Sequence, residues 1–238
     1  MPDLRHRSLQ KELLDRDDIP FEDIRQNMRE LDRINHQLGG HAISRRGFRA
    51  LTKGPHTNEP LRVVEIGCGG GDNLRVIREQ AGKQGLSVQL TGIDLNPECI
   101  RYAESVSENR GIRFLCSDYR NANFEEPPHL IFSSLFCHHF TDEELVFMLR
   151  WMKKNTTLGF FINDLHRHPV AYHSIRLLTR WFSRSYLVRN DAPLSVARGF
   201  RSKEWQELFQ TAGFAITDID WCWAFRWLIL YRHESAVV

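Results

Sequence analysis

The chain has 238 residues, 42% of them hydrophobic and 26% charged, a balance that fits one soluble globular unit with a sizeable core. The formal net charge is only +2, so there is no strong basic field for bulk nucleic-acid binding. The five cysteines, Cys68, Cys99, Cys116, Cys137 and Cys222, are scattered without a CxxC pair, which excludes a zinc or redox signature and fits reduced thiols in a cytoplasmic protein.

The opening stretch, MPDLRHRSLQKELLD, is too polar for a secretory signal. Ile24, Met28, Leu31, Ile34 and Leu38 recur at three- and four-residue steps, which predicts a helix over 23–38 that stops at Gly39-Gly40. A short helix over 45–51 and a turn-rich linker over 54–60 follow. Then the rhythm changes. Short β-branched runs at 61–66, 89–93, 112–116, 130–135 and 157–163 predict strands. Helical segments fall between them at 73–80, 97–109 and, after the capping box Thr141-Asp142-Glu143-Glu144, up to residue 154. Alternation of this kind means a mostly parallel sheet covered on both faces.

Residues 164–201 interrupt the alternation. A helical, aromatic and basic segment is predicted over 170–182 and an irregular one over 183–200. Ser202 should cap a helix over 203–211, ended by Gly213. Two tightly joined strands over 215–223 and 225–232 must form an antiparallel pair. Apolar residues near the C-terminus are broken by Arg226 and Arg232, so no stable membrane insertion is expected.

The most informative stretch is VVEIGCGGGDN, residues 63–73. A buried strand runs into a glycine loop, and a helix begins just beyond. Gly67, Gly69 and Gly71 let the backbone turn sharply and approach a ligand, while the helix N-terminus offers free N–H groups. A dinucleotide fingerprint would need a third glycine at position 72, which is Asp72, and Glu65 stands two residues before Gly67. A carboxylate beside the loop suits a cationic ligand better than a pyrophosphate.

This motif resembles motif I of the class I S-adenosylmethionine (SAM)-dependent methyltransferases, whose cofactor carries a sulfonium and an ammonium. The resemblance covers about residues 61–163. It implies an α/β, Rossmann-like, seven-stranded, mostly parallel sheet with an antiparallel C-terminal hairpin. The parts would be an N-terminal helical cap (1–60), the SAM-binding core (61–163), a helical lid inserted after the fifth strand (164–201), and a C-terminal helix and strand pair completing the core (202–238). It assigns Glu65, Gly67, Cys68, Gly69, Gly71 and Leu135 to the cofactor site, Asp94 to the ribose hydroxyls, Leu95 to the adenine face, and Asp118-Tyr119 to the adenine amino group. The product would be S-adenosylhomocysteine.

The segment HLIFSSLFCHHF resembles the fourth-strand segment of small-molecule methyltransferases, with His129 where an acid usually stands. The Asn/Asp-Pro-Pro-aromatic loop of enzymes that methylate exocyclic amines is absent. The stretches NMRELDRINHQLGGHAISRRGF and FINDLHRHPVAYHSIRLLTRWFSRSYLVRNDAPLSVARGF are similar to bacterial methyltransferases associated with aromatic polyketide and phenolic-lipid pathways. The resemblance therefore implies a small-molecule acceptor, aromatic or lipidic, methylated at a hydroxyl and facing lid aromatics Tyr172, Trp181, Phe182 and Tyr186. RNA or protein methylation, and cofactor binding without catalysis, stay open as alternatives.

A hydroxyl acceptor needs a base, and histidine near neutral pH serves well. His139 and His166 are the leading candidates and His168 a third, with Asp164 beside His166. Asp164, His166 and His168 alternate, so an extended chain would align them as metal ligands; the imidazole-rich set does not suit a hard cation, and no metal is expected. The oligomeric state is not legible.

Overall fold

A computed structural model describes residues 3–16, 18–54, 59–215 and 218–234. After a single 3-10 turn, Leu13–Asp15, the elements in chain order are α1 (Phe21–Gln37), α2 (Gly40–Leu51), β1 (Leu61–Ile66), α3 (Asp72–Lys83), β2 (Val88–Asp94), α4 (Pro97–Ser105), β3 (Arg113–Cys116), β4 (Leu130–Ser134), α5 (Asp142–Lys154), β5 (Gly159–Leu165), α6 (Pro169–Phe182), α7 (Tyr186–Arg198), α8 (Ser202–Ala212), β6 (Asp218–Cys222) and β7 (Arg226–Arg232). The seven-stranded sheet has the order β3-β2-β1-β4-β5-β7-β6. β1 to β5 pair in parallel, and β7 runs antiparallel between β5 and β6.

Alternating side chains build a core on each face of the sheet. Val64, Phe160 and Ile162 pack with Leu145 and Met148 of α5 and Trp205 and Phe209 of α8. Val63, Phe132 and Phe161 point the other way, toward Phe48 of α2 and Leu74 and Ile77 of α3, with Phe132 and Phe161 stacked 4.8 Å apart. α2 can lie this close to β5 because residue 47 is glycine: a Cβ there would meet the Phe161 ring at 2.6 Å. α1 packs on α4 through Ile24, Met28, Cys99 and Tyr102.

Several expectations are corrected. Residues 183–200 are not irregular: most of them form α7. Its buried residues (Leu187, Val188, Asp191, Pro193, Val196, Ala197, Arg198) lie on all sides, and Pro193 sits inside it, so the helical period is hidden. Ser202 is the first helical residue of α8 and not its cap; Arg201 is the cap, where its backbone N–H donates to Glu204 at 2.7 Å. β5 begins two residues later than expected and continues through Asp164 to Leu165. The helix predicted over 97–109 ends at Ser105, and a separate 3-10 turn follows. Most of the linker expected over 54–60 lies outside the described residues.

No helix among the described residues is long and apolar enough to cross a membrane.

Candidate active site

β1 leads out to β2 and β3 on one side, and the chain returns to β4 on the other, so the topology switches direction between β1 and β4. Loops at such a point diverge beyond the carboxyl ends of the strands and leave a crevice. A cavity of about 560 Å³ opens there, in the range of small-molecule sites. Its wall includes Glu65, Gly67, Cys68, Gly69, Asp94, Leu95, Asp118, Tyr119, Leu135 and His139. Gly71 stands just behind, as the left-handed cap of α3.

The loop after β1 is shaped by backbone conformation. Gly67, Gly69 and Gly71 all have positive φ. A Cβ on Gly67 would meet the Phe136 ring at 2.2 Å. Gly67 and Cys68 donate their backbone N–H to the Ile93 carbonyl at 2.8 and 3.1 Å, which ties the loop to the end of β2. Asp94, at that end, accepts from Gly69 N–H and Asn96 N–H at 2.9 Å each.

This end of the cavity is acidic and incompletely satisfied. Glu65 is buried, and its Oε2 has no hydrogen-bond partner among the described residues. Burial, with Asp72 and Asp94 nearby, pushes its carboxyl well above the usual range. Asp94 is pushed up by burial too, against the pull of its two N–H donors. Asp72 is half-buried; there, His41 at 2.8 Å and Asn35 at 3.2 Å outweigh desolvation and hold it low. The orphaned Oε2 of Glu65 at the glycine loop could receive a cation, whose charge would in turn favour the ionised carboxylate. Leu95 adds an apolar side chain that is 70% exposed on the wall, a surface that a flat ring would cover. Asp118 also lies on the wall, held below the usual carboxylate range by Arg120, whose Nε donates to it at 2.9 Å. The residues present fit SAM: an acid for the ammonium, Asp94 at the position of a ribose-binding acid, and Leu95 for the adenine.

The other end is built by the loop after β4 and by residues 3–16. Leu135 has φ 55, a left-handed kink that directs the chain into the 3-10 turn Cys137–His139. His138 points inward. Its Nδ1 lies 2.8 Å from Asp164 Oδ1, and its Nε2 lies 3.4 Å from Glu12. Burial alone would lower the His138 pKa, but the two carboxylates outweigh it and raise it to about 9. Glu12 and Asp164 are both held below their usual values, because His138 overcomes the effect of burial. Asp164 also accepts from the backbone N–H groups of His138 and Leu165. His139 turns to the cavity. Its Nδ1 lies 3.1 Å from Asp15 Oδ1, a charge contact outside hydrogen-bond alignment, and its Nε2 is 3.9 Å from Glu12.

The N-terminal segment is strapped over this loop. Arg7 donates to the Phe140 carbonyl at 2.8 Å and pairs with Asp142 at 2.6 Å. Asp191 of α7 accepts from the N–H groups of Leu13 and Leu14 at 2.8 and 3.0 Å. Ser195 donates to Glu12 at 2.7 Å, and Arg198 donates to the His138 carbonyl at 3.0 Å.

The structure therefore brings His139 onto the cavity wall and keeps the other two catalytic candidates off it. Asp164 is wholly buried inside β5 and reaches the site only through His138. His166 lies beyond β5, where its Nδ1 accepts from Trp221 Nε1 at 3.2 Å. Burial, then His168, Arg201 and Arg167, lower its pKa to about 4, so it is neutral near pH 7. The aromatics expected to face an acceptor do not line the cavity; Trp181, Phe182 and Tyr186 are exposed. Their place is taken by Leu14, Ile19, Phe136 and Phe140. Glu12, Asp15, His138 and Arg198 were not among the expected site residues. The His138-His139 pair was the one signal pointing there.

Two groups have metal-ligand spacing among the described residues: Glu12 with His138 and His139, and Asp32 with His41 and Asp72. Both already hold their own counter-charges. Arg198 lies 4.0 Å from Glu12 beside a raised-pKa His138, and Arg75 pairs with Asp32 at 2.7 Å. A metal ion would have to displace them.

Residues 63–159 match a family model described as a methyltransferase domain. The fold is also that of solved methyltransferases. The plantazolicin methyltransferase BpumL, solved with S-adenosylhomocysteine, superposes with a TM-score of 0.61 at 18% identity over 85% of this chain and 79% of that one. The magnesium protoporphyrin IX methyltransferase of Synechocystis, solved with SAM, gives 0.54 at 11% identity over 85% and 84%. A candidate O-methyltransferase from Nostoc punctiforme gives 0.55 at 13% identity over 80% of this chain, which spans only 55% of that protein's length. A comparison with curated proteins finds no match to the sequence. The fold is the one that these SAM-dependent methyltransferases share. Residues 63–159 are thus a methyltransferase domain, and the solved structures that share the fold hold SAM or S-adenosylhomocysteine.

Proposed function

We propose that the enzyme methylates a hydroxyl of a small aromatic or lipidic metabolite, with His139 as general base. The observation that carries this reading is the placement of His139 on the cavity wall, with the Asp15 carboxylate 3.1 Å from its Nδ1. When bound, SAM supplies a methyl group already activated by its sulfonium. Glu65 and Asp94 would hold it by its positive charge and its ribose. His139 Nε2 takes the acceptor's proton, while Asp15 lies 3.1 Å from the ring's other nitrogen. Leu14, Ile19, Phe136 and Phe140 give the acceptor an apolar wall and exclude water, which strengthens these charge interactions. The apolar lining is what favours a flat or greasy acceptor, as does the likeness to phenolic-lipid methyltransferases in residues 27–48 and 161–200.

The test is transfer of labelled methyl from SAM to a panel of phenols and hydroxylated lipids. Product with a methyl ether is expected, and His139→Ala should lower kcat while SAM affinity stays unchanged. Methyl transfer into RNA or protein, or SAM binding without turnover on any hydroxyl compound, would overturn the reading.

A further inference from the structure

We propose that α6 is a docking surface for an anionic lipid bilayer. In the sequence, α6 belonged to a substrate lid, but its large side chains turn away from the cavity. Val170, Leu177 and Trp181 are seven and four residues apart, which at 100° per residue places them on one stripe. Leu178 and Phe182 form the neighbouring stripe, four residues apart. All five are exposed: Leu177 by 59%, Trp181 by 74% and Phe182 by 82%. Only Ala171 and Thr179 of this helix are buried. Scattered exposed apolar residues need no explanation, but two adjacent stripes on one helix do.

The patch continues onto the hairpin between β6 and β7. His168, which caps α6, stacks on Phe225 with ring centroids 5.0 Å apart, and Phe225 lies 6.1 Å from both Trp221 and Trp223. Trp223 is 68% exposed and Trp221 is exposed as well. Tryptophan at the edge of an apolar patch suits the headgroup level of a bilayer, because its ring is apolar and its N–H is polar.

Charge selects the occupant. Arg176, Arg180 and Arg184 are exposed beside the patch; Arg184 backbone N–H donates to Glu30 at 3.0 Å, but none of the three guanidinium groups forms an ion pair among the described residues. Residues 165–190 contain no Asp or Glu at all, although the whole chain is nearly neutral at +2. The enzyme's positive charge is thus concentrated beside its most exposed apolar helix. A second copy meeting this face about a two-fold axis would bring arginine against arginine. A leaflet of anionic headgroups complements it. The helix is 14 residues long and about 21 Å in length, so it would lie in the plane of the surface and not cross it.

The experiment is co-sedimentation with vesicles of phosphatidylcholine alone and of phosphatidylcholine mixed with phosphatidylglycerol, at low and high salt. Binding to the mixed vesicles is expected, weakened by salt, with little binding to phosphatidylcholine alone. Each of Arg176→Gln, Arg180→Gln and Arg184→Gln should weaken binding roughly fivefold, and the triple variant about 100-fold. Trp181→Glu with Phe182→Glu should abolish it. These side chains lie outside the cavity, so unchanged SAM affinity serves as the check that each variant is folded. No vesicle binding, or equal binding to both vesicle types with the arginine variant unaffected, would overturn the proposal. So would a lipid-free dimer, seen by ultracentrifugation, that the Trp181→Glu, Phe182→Glu variant splits.

Discussion

At the glycine-loop end of the cavity, Glu65 keeps a buried carboxylate oxygen with no hydrogen-bond partner, and its neighbours Asp72 and Asp94 only deepen the negative field. At the far end Glu12, His138 and Asp164 are just as buried, yet each carboxylate faces a cationic ring and further donors. Buried charge is costly unless it is paired, so the two ends solve the same problem differently. One leaves an oxygen of its acid open, without a hydrogen-bond partner among the described residues. The other closes its charges on themselves and uses them to hold a loop. His139 and its neighbour Asp15, at the edge of the closed cluster, face the cavity.

That contrast can be broken at either end. Gly67→Val should have the largest effect, because the residue has φ 69 and a Cβ there would meet Phe136 at 2.2 Å; loss of measurable SAM binding is expected by calorimetry. His139→Ala should lower kcat roughly 100- to 10,000-fold with SAM affinity intact; a parallel loss of SAM binding would place His139 at the wrong end. Asp164→Ala leaves the buried His138 without its nearest counter-charge and should destabilise the fold by about 3–5 kcal/mol in urea unfolding, while the cofactor end keeps its own hydrogen bonds. Asp94→Asn should weaken SAM binding roughly 10- to 100-fold and cost about 1 kcal/mol of stability, since Asn keeps an acceptor for Gly69 N–H but turns its NH2 toward Asn96 N–H.

The smallest effect is on pH dependence. The His138 pKa is raised to about 9 in the folded protein, above its unfolded value of 6.5. Its contribution to stability is therefore complete below about pH 6.5 and is lost as pH rises through about 9. About 1 kcal/mol should disappear between roughly pH 7 and pH 8, and His138→Gln should flatten that slope.

The cofactor end was legible in the sequence because it is local. A strand, three glycines and an acid within a few residues fix its geometry, and Asp94 follows at the end of the next strand. The acceptor end was not, because it is assembled from distant segments: Glu12 with His138, Arg7 with Asp142, Asp191 with Leu13. No periodicity links such residues. Asp164 looked like the start of a loop because a carboxylate rarely sits inside a buried strand; the imidazole beside it is what permits this. α7 escaped notice because it is buried on several sides and carries a proline, which removes both signals by which a helix is usually read.

The strap of residues 3–16 has a consequence for how such an enzyme diverges. It helps to wall the acceptor end, but it adds no strand to the sheet and no residue to the glycine loop. Under the proposed function, a change at Leu14 would reshape the choice of acceptor while the glycine loop's hold on the methyl donor stays as it is. Glu12 and Asp15 mark the limit of that freedom, since their carboxylates hold the histidine pair that every acceptor would share.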